Sequence, residues 1–254
     1  MTNQISVLKS NIFMRFFIKF SYNGTHYHGW QSQPNAISVQ ETLTDAMNLL
    51  LKTEIKLVGA GRTDTGVHAS EMFAHFDLES EIDSPKLIYK LNTLLPADIA
   101  VTEIYEVSSD LHARFSAKSR TYQYYIHTNK NPFLENQSWY FNKNPDLHKM
   151  NQAAEKLLEH TDFECFSKVH TDVNTFNCKI QNAIWTIENN QLIFTIKADR
   201  FLRNMVRAIV GTLINVGLEK ITIDDFQNII KSKNRQKAGF SVPAHGLFLR
   251  KIEY

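Results

Sequence analysis

Hydrophobic positions along the chain change period in a definite order, and that order predicts the architecture. Ile12 to Tyr22 is dense in Phe and Ile and ends at Asn23-Gly24, which reads as a strand stopped by a turn. Ser38 with Glu41 three residues on reads as a capping box, and Val39, Leu43, Met47, Leu50 and Leu51 then recur at helical spacing. Ile55 to Val58 reads as a short strand running into a glycine-containing loop, Gly59 to Ala69. Met72 to Leu78 alternates as the next strand, with Met72, Ala74, Phe76 and Leu78 on one face and Phe73 and Asp77 on the other. Ser84-Pro85 opens a helix in the order cap then proline, and it stops before Pro96. Ile99 to Val107 is a further strand. The predicted order is β-α-β-β-α-β, the split pattern of ferredoxin-like domains.

The second half repeats this order without repeating residue identities. Thr121 to His127 reads as a strand, and Leu147 to Glu159 as an amphipathic helix capped by Asp146. Ala183 to Glu188 and Leu192 to Lys197 flank Asn189-Asn190, a hairpin signal. Arg203 to Val216 is strongly periodic through Val206, Ile209, Val210, Leu213 and Ile214, with Gly217 as its stop. A short helix over Thr222 to Lys231 and a last strand over Leu247 to Ile252 complete the set. The expected fold class is α+β, with two related ferredoxin-like domains over residues 1–110 and 111–254 and a boundary near Ser108 to His112. At about 150 residues per domain, 254 residues accommodate this division.

Composition narrows the setting. Hydrophobic residues make up 43% and charged residues 21%, so the chain has the material for a packed core. Two cysteines, Cys165 and Cys178, cannot build a disulfide framework and point to a reducing compartment. No stretch approaches the roughly 18 apolar residues of a membrane helix. Arg15 and Lys19 interrupt the nearest candidate, Ile12 to Phe20. The expected location is cytoplasmic, with no membrane partner. Net charge is +2, but it divides unevenly. Residues 1–110 hold 8 Lys and Arg against 13 Asp and Glu, whereas residues 111–254 hold 20 against 13. An anionic partner for the second half follows, nucleic acid foremost; an even-handed alternative is a solvated surface of chance composition.

The candidate chemistry is sparse. Ten histidines include no His-Glu-x-x-His, and no Cys-x-x-Cys pair occurs, so no metal site is expected. Gly59, Gly61 and Gly66 fit neither the dinucleotide fingerprint nor the phosphate-binding loop. What remains is Arg62-Thr63-Asp64 in the loop between two strands. A carboxylate there suits a nucleophile or general base kept ionised by a nearby arginine. On spacing alone, an Asp that hydrogen-bonds its own turn backbone is the commoner case. A glycosidase would need a second carboxylate, and no partner is identifiable.

Gly59-Ala-Gly-Arg-Thr-Asp-Thr-Gly-Val-His-Ala69 closely resembles the signature of the tRNA pseudouridine synthase A family, Gly-Arg-Thr-Asp-Ala-Gly-Val-His. Further segments resemble that family in the same order: Tyr22-Asn-Gly-Thr-x-Tyr-x-Gly-Trp-Gln-x-Gln33, Ser38-Val-Gln-Glu-x-Leu43, Leu91-Asn-x-x-Leu-Pro-x-Asp-Ile-Ala100 and His112-Ala-Arg-Phe-Ser-Ala117. Tyr122-x-Tyr124, Phe201-x-x-x-Met-Val-Arg-x-Ile-Val-Gly211 and Pro243-Ala-x-Gly-Leu-x-Leu249 continue the series. Thr65 departs from the usual Ala, with a hydroxyl available to hydrogen-bond the loop. Asn174 to Ile180 departs from a Thr-Arg-Thr-like run, which leaves an RNA contact there open.

The resemblance implies an isomerase that converts uridine to pseudouridine at positions 38, 39 and 40 of the tRNA anticodon stem-loop, acting as a homodimer around a basic cleft. It implies Asp64 as the catalytic aspartate, as nucleophile or base, and no cofactor, since nothing is oxidised and no group leaves. Arg62 would occupy the space left by a flipped base, or pair with Asp64. Tyr122 would pack against the target uracil, or serve as core. Arg207, on an apolar helix, would find its anion in Asp64. Arg200, Arg203, Lys231, Lys233, Arg235 and Lys237 together would meet phosphates. A non-catalytic RNA-binding module and a retaining nucleoside or glycoside hydrolase remain as alternatives.

Overall fold

The computed structural model describes residues 13–169 and 173–254; Ile12, the first residue of the expected opening strand, lies outside them. The first half follows the expected order: β1 (Met14–Tyr22), α1 (Val39–Leu51), β2 (Val58–Gly59), β3 (His68–Leu78), α2 (Ser84–Leu94) and β4 (Ile99–Val107). The second half supplies β5 (Ser119–His127), β6 (Trp139–Tyr140), α3 (Leu147–Lys156), β7 (Ile180–Glu188), β8 (Gln191–Ala198), α4 (Met205–Gly217), α5 (Ile223–Lys231) and β9 (Leu247–Glu253). The nine strands of the described residues join one sheet in the order β4-β1-β3-β9-β5-β8-β7, with β2 beside β3 and β6 beside β5.

Most local signals act as their chemistry requires. Ser38 Oγ accepts the Glu41 N–H at the start of α1. Asn189 and Asn190 adopt φ of 50° and 61°, the left-handed pair that a two-residue hairpin needs. Four expectations need correction. The cap of α2 is Asp83, which accepts the Lys86 N–H, so Ser84 and Pro85 are already helical. Strand β2 is two residues long, because side chains of α1 take the backbone groups before it. Asn48 Oδ1 accepts Ile55 N–H at 2.7 Å, and Gln40 Nε2 donates to Leu57 O at 2.8 Å. Helix α4 starts at Met205, since Asn204 is left-handed at φ 67°. It also runs through Gly217, and the reversal falls on Glu219 at φ 58°. Gly217 serves packing instead: a Cβ there would lie 2.7 Å from Met150 Cγ on α3.

Two hydrophobic cores flank the seam where β3 meets β9. One gathers Ile18, Phe20, Trp30, Leu43, Met47, Met72 and Phe76 with Leu249 and Ile252 from the far end of the chain. The other gathers Tyr124, Phe166, Trp185, Phe194, Ile209, Leu213 and Phe226 with Val67 from the first half. Main-chain pairing across the seam is parallel and short, His68 with Phe248 and Ala69 with Leu249. Side chains continue it: Glu71 Oε1 accepts the Ile252 N–H at 2.9 Å, and Arg250 donates to Ser70 Oγ at 2.7 Å. At each outer edge of the sheet one asparagine from a packed helix takes both backbone groups of a strand residue. Asn92 of α2 does so with Val101 on β4, and Asn151 of α3 with Trp185 on β7.

Between Met72 and Phe76 both faces of β3 are buried, because the C-terminal residues return over the face of Phe73 and His75, while Asp77 stays exposed. Phe17, Phe73 and Tyr254 pack there ring against ring. His75 shares that face, and its Nδ1 accepts the Ala113 N–H at 3.2 Å. Burial, reinforced by Arg15 and His112, pushes the His75 pKa down to about 4. The unfolded chain therefore takes up a proton near pH 6.5 that the folded chain refuses until about pH 4. The contribution to stability is complete above pH 6.5 and declines as the pH falls toward 4. His75→Asn, which keeps an acceptor but cannot titrate, should flatten the acid dependence of the unfolding free energy between those limits. Parallel urea titrations across that range check this, and an unaltered slope would refute it.

Candidate active site

The loop between β2 and β3 is fixed from inside. Thr63 is buried and its Oγ1 lies 2.8 Å from the Tyr22 hydroxyl, while Trp30 N–H donates to Thr63 O. Residues 64–67 then form a turn closed by Val67 N–H on Asp64 O at 3.1 Å. Gly66 takes φ 76° in its third position, the backbone a type II turn requires there and glycine adopts without strain. With Thr63 anchored inward, Arg62 is exposed and Asp64 is turned toward the second half.

Two guanidinium groups meet Asp64 across the seam. Arg207 Nη1 lies 3.6 Å from Asp64 Oδ2, and Arg203 Nε lies 3.6 Å from Oδ1. The side chains of Asp64, Arg207 and Arg203 are 27%, 20% and 58% exposed, so the inner arginine is the sheltered one. Both separations exceed hydrogen-bond length. Among the described residues the carboxylate is thus held in a positive field with no hydrogen bond to its oxygens, the condition a nucleophile or base needs. Arg207 is itself aimed by its Nε donating to Val242 O at 2.7 Å, and Tyr124 OH donates to the neighbouring Pro243 O.

Tyr122 lies between the two cores and packs edge-on against Phe201, with ring centroids 5.0 Å apart. Burial pushes its phenol up to about 12; Arg120 opposes that shift and Asp64 adds to it, so the ring stays neutral at any physiological pH. Arg120 makes the densest set of contacts. It donates to Ala60 O and Arg114 O through Nη2 and to Ala117 O and Asp199 O through Nη1, at 2.6 to 3.2 Å. His68 adds a second clamp. Its Nδ1 accepts Gly24 N–H at 3.0 Å, so Nε2 carries the proton toward His245 O at 3.1 Å. Burial lowers its pKa and favours this neutral form.

Of the residues singled out by sequence, Asp64, Arg207 and Tyr122 come together. Arg62 shares their loop but is not within 4.0 Å of Asp64 among the described residues, whose ion pairs are with Arg203 and Arg207. The basic set divides. Lys233 pairs with Asp162 at 2.7 Å, and Arg235 donates to Gly239 O and Ser241 Oγ, so both serve the fold. Thr65 is exposed, and its hydroxyl makes no hydrogen bond among the described residues. Sequence reasoning missed Arg120, although a guanidinium two residues from an expected active-site tyrosine on one strand face was a usable signal. It also placed Arg203 inside α4; the left-handed Asn204 takes it out of the helix. Among the described residues no cluster of three metal-binding side chains occurs, and no helix is long and apolar enough to cross a membrane.

A family model described as tRNA pseudouridine synthase matches residues 19–116 and 153–254. The chain belongs to the tRNA pseudouridine synthase family, whose members are isomerases. It is 54% identical over 242 residues to the tRNA pseudouridine synthase A of Bacteroides fragilis, covering 94% of this chain and 96% of that one. Over 241 residues it is 53% identical to the enzyme of the same name from Parabacteroides distasonis, with the same coverage. The tRNA pseudouridine synthase A of Thermoanaerobacter pseudethanolicus is 42% identical over 246 residues, covering 93% and 98%.

Replacing Arg120 leaves four carbonyls without their donor. Arg120→Met should lower the unfolding free energy by about 2–4 kcal/mol, and Arg120→Lys should recover less than half, lacking the planar fork. Amide hydrogen exchange within residues 59–67 should quicken in both variants. Urea unfolding with exchange mass spectrometry reads the two effects; a stable Arg120→Met protein with a protected loop would contradict the assignment.

Proposed function

We propose that the chain converts uridine to pseudouridine at positions 38, 39 and 40 in the anticodon stem-loop of tRNA, with Asp64 as nucleophile or base. The observation that carries this reading is a partly exposed carboxylate, on the loop that bears the family signature, faced by two arginines at 3.6 Å and with no hydrogen bond to its oxygens among the described residues. The uracil N1–C1′ bond breaks, the base turns, and C5 bonds to C1′; the C5 proton leaves and N1 gains one. Asp64 either attacks C1′ or removes the 2′ proton on the way to a glycal. Neither route requires a cofactor.

The other residues fall into place around that step. Arg207 faces and aims the carboxylate, Tyr122 offers its neutral ring to the uracil, and exposed Arg62 takes the space of the extruded base. The shared spatial order of strands, β4-β1-β3-β2 and β9-β5-β8-β7, supports two ferredoxin-like domains divided near residue 110, with the cleft between them. The enzyme is cytoplasmic and acts as a homodimer.

The test is tRNA carrying tritium at uridine C5. Label release with pseudouridine as product, mapped to positions 38–40, is expected. Free uracil would mean a hydrolase, and binding without release an RNA-binding module. Asp64→Asn should cut the single-turnover rate by at least about a thousandfold while tRNA still binds. Arg207→Met should cost on the order of a hundredfold in rate and much less in affinity, with partial rescue by Arg207→Lys; a loss confined to affinity would make Arg207 a phosphate contact. Exhaustive chelation should leave activity on refolded tRNA intact, and a loss reversed by Zn²⁺ would contradict the metal-free reading.

A further inference from the structure

The turn His112-Ala-Arg-Phe-Ser116 stands outside the chemistry described so far, yet each of its five backbone N–H groups has an acceptor. His112 N–H donates to Ser116 Oγ, Ala113 N–H to His75 Nδ1, and Ser116 N–H to His112 O. The Arg114 and Phe115 N–H groups both donate to His112 Nδ1, at 3.1 and 3.3 Å. Carbonyls are engaged as well: Tyr254 OH donates to Ala113 O, and Arg120 to Arg114 O. A turn so closed is rigid, and it presents a large apolar ring to water. Phe115 is 75% exposed. One side of it meets the His112 ring at 4.4 Å between centroids, and the Arg114 guanidinium carbon lies 5.5 Å from its centroid.

Placement gives the ring a use. The same Arg120 guanidinium that holds Arg114 O at 2.6 Å holds Ala60 O at 3.1 Å, so the turn is tied to the loop that continues through Arg62 to Asp64. A fixed aromatic face with cations beside it is how proteins hold unpaired bases, since every base has a π-face and a neighbouring phosphate. We propose that Phe115, with Arg114 beside it, is a stacking shelf for an unpaired base adjoining the uridine that reacts. This rests on the reading of the chain as an RNA uridine isomerase. A second copy of the chain covering Phe115 is the competing occupant.

The test compares Phe115→Ala, Phe115→Leu and Phe115→Trp in the full chain. The probe is an RNA stem-loop carrying the target uridine in its loop, titrated at several KCl concentrations. Phe115→Ala should weaken binding about tenfold with an unchanged salt slope, because no phosphate contact is lost. Phe115→Trp should restore affinity, with its added indole emission quenched by the RNA, whereas Phe115→Leu should not restore it. Equal affinity of the Leu and wild-type proteins, or no effect of Ala, would overturn the shelf. A changed sedimentation coefficient for Phe115→Ala would overturn it in favour of a contact between protein chains. Tritium release by the wild type separates the two levels. If release occurs, a failed shelf leaves the functional reading standing; if it does not, that reading fails and the stem-loop affinities still judge the shelf.

Discussion

Asp64 and the arginines that face it belong to opposite halves of the sequence, and their 3.6 Å separations have to be maintained across a seam with little main chain in it. Two residue pairs of parallel strand cannot fix that register. The Arg120 guanidinium supplies what is missing by donating to carbonyls of the aspartate loop, of the connector and of the segment leading into α4. It has no carboxylate within ion-pairing distance among the described residues. Its charge is balanced by carbonyl dipoles, and burial lowers its pKa from the usual arginine value without discharging it. His68 reinforces the seam from the other side and must stay neutral to do so.

The uneven division of charge along the chain has a counterpart in this site. The acidic half contributes the carboxylate, and the basic half contributes the guanidiniums that surround it. Arg207 is held by Val242 and half-buried, so its position barely depends on solvent; Arg203 is exposed and precedes the helix, so it is held more loosely. One arginine therefore defines the geometry of the carboxylate and the other modulates its field.

How far the sequence reached depended on the range of the interaction concerned. Most of the strand and helix order was legible because the longer elements carry their own periodicity, as in β1 and the α4 run from Val206 to Ile214, whereas the two-residue β6 carries none and was not foreseen. The pairing of Asp64 with Arg207 was legible through motifs. Boundaries failed where a side chain from elsewhere competed for the backbone, as Asn48 and Gln40 do before β2, or where a residue type was read for its usual role. Gly217 answers to Met150 and not to a turn. The carbonyl partners of Arg120 were not legible, since they lie up to 79 residues away, even though its place beside Tyr122 was a signal. Arg235 was read as a phosphate contact although its partners, Gly239 and Ser241, are only four and six residues on.

The paired asparagines at the sheet margins bear on how this molecule can assemble. Asn92 and Asn151 each present to a terminal strand the donor and acceptor that another strand would bring. The nine-stranded sheet is thereby closed to elongation at Val101 and Trp185, which protects it from edge-to-edge polymerisation. A further strand laid against either margin would have to displace an asparagine at these residues before it could pair there.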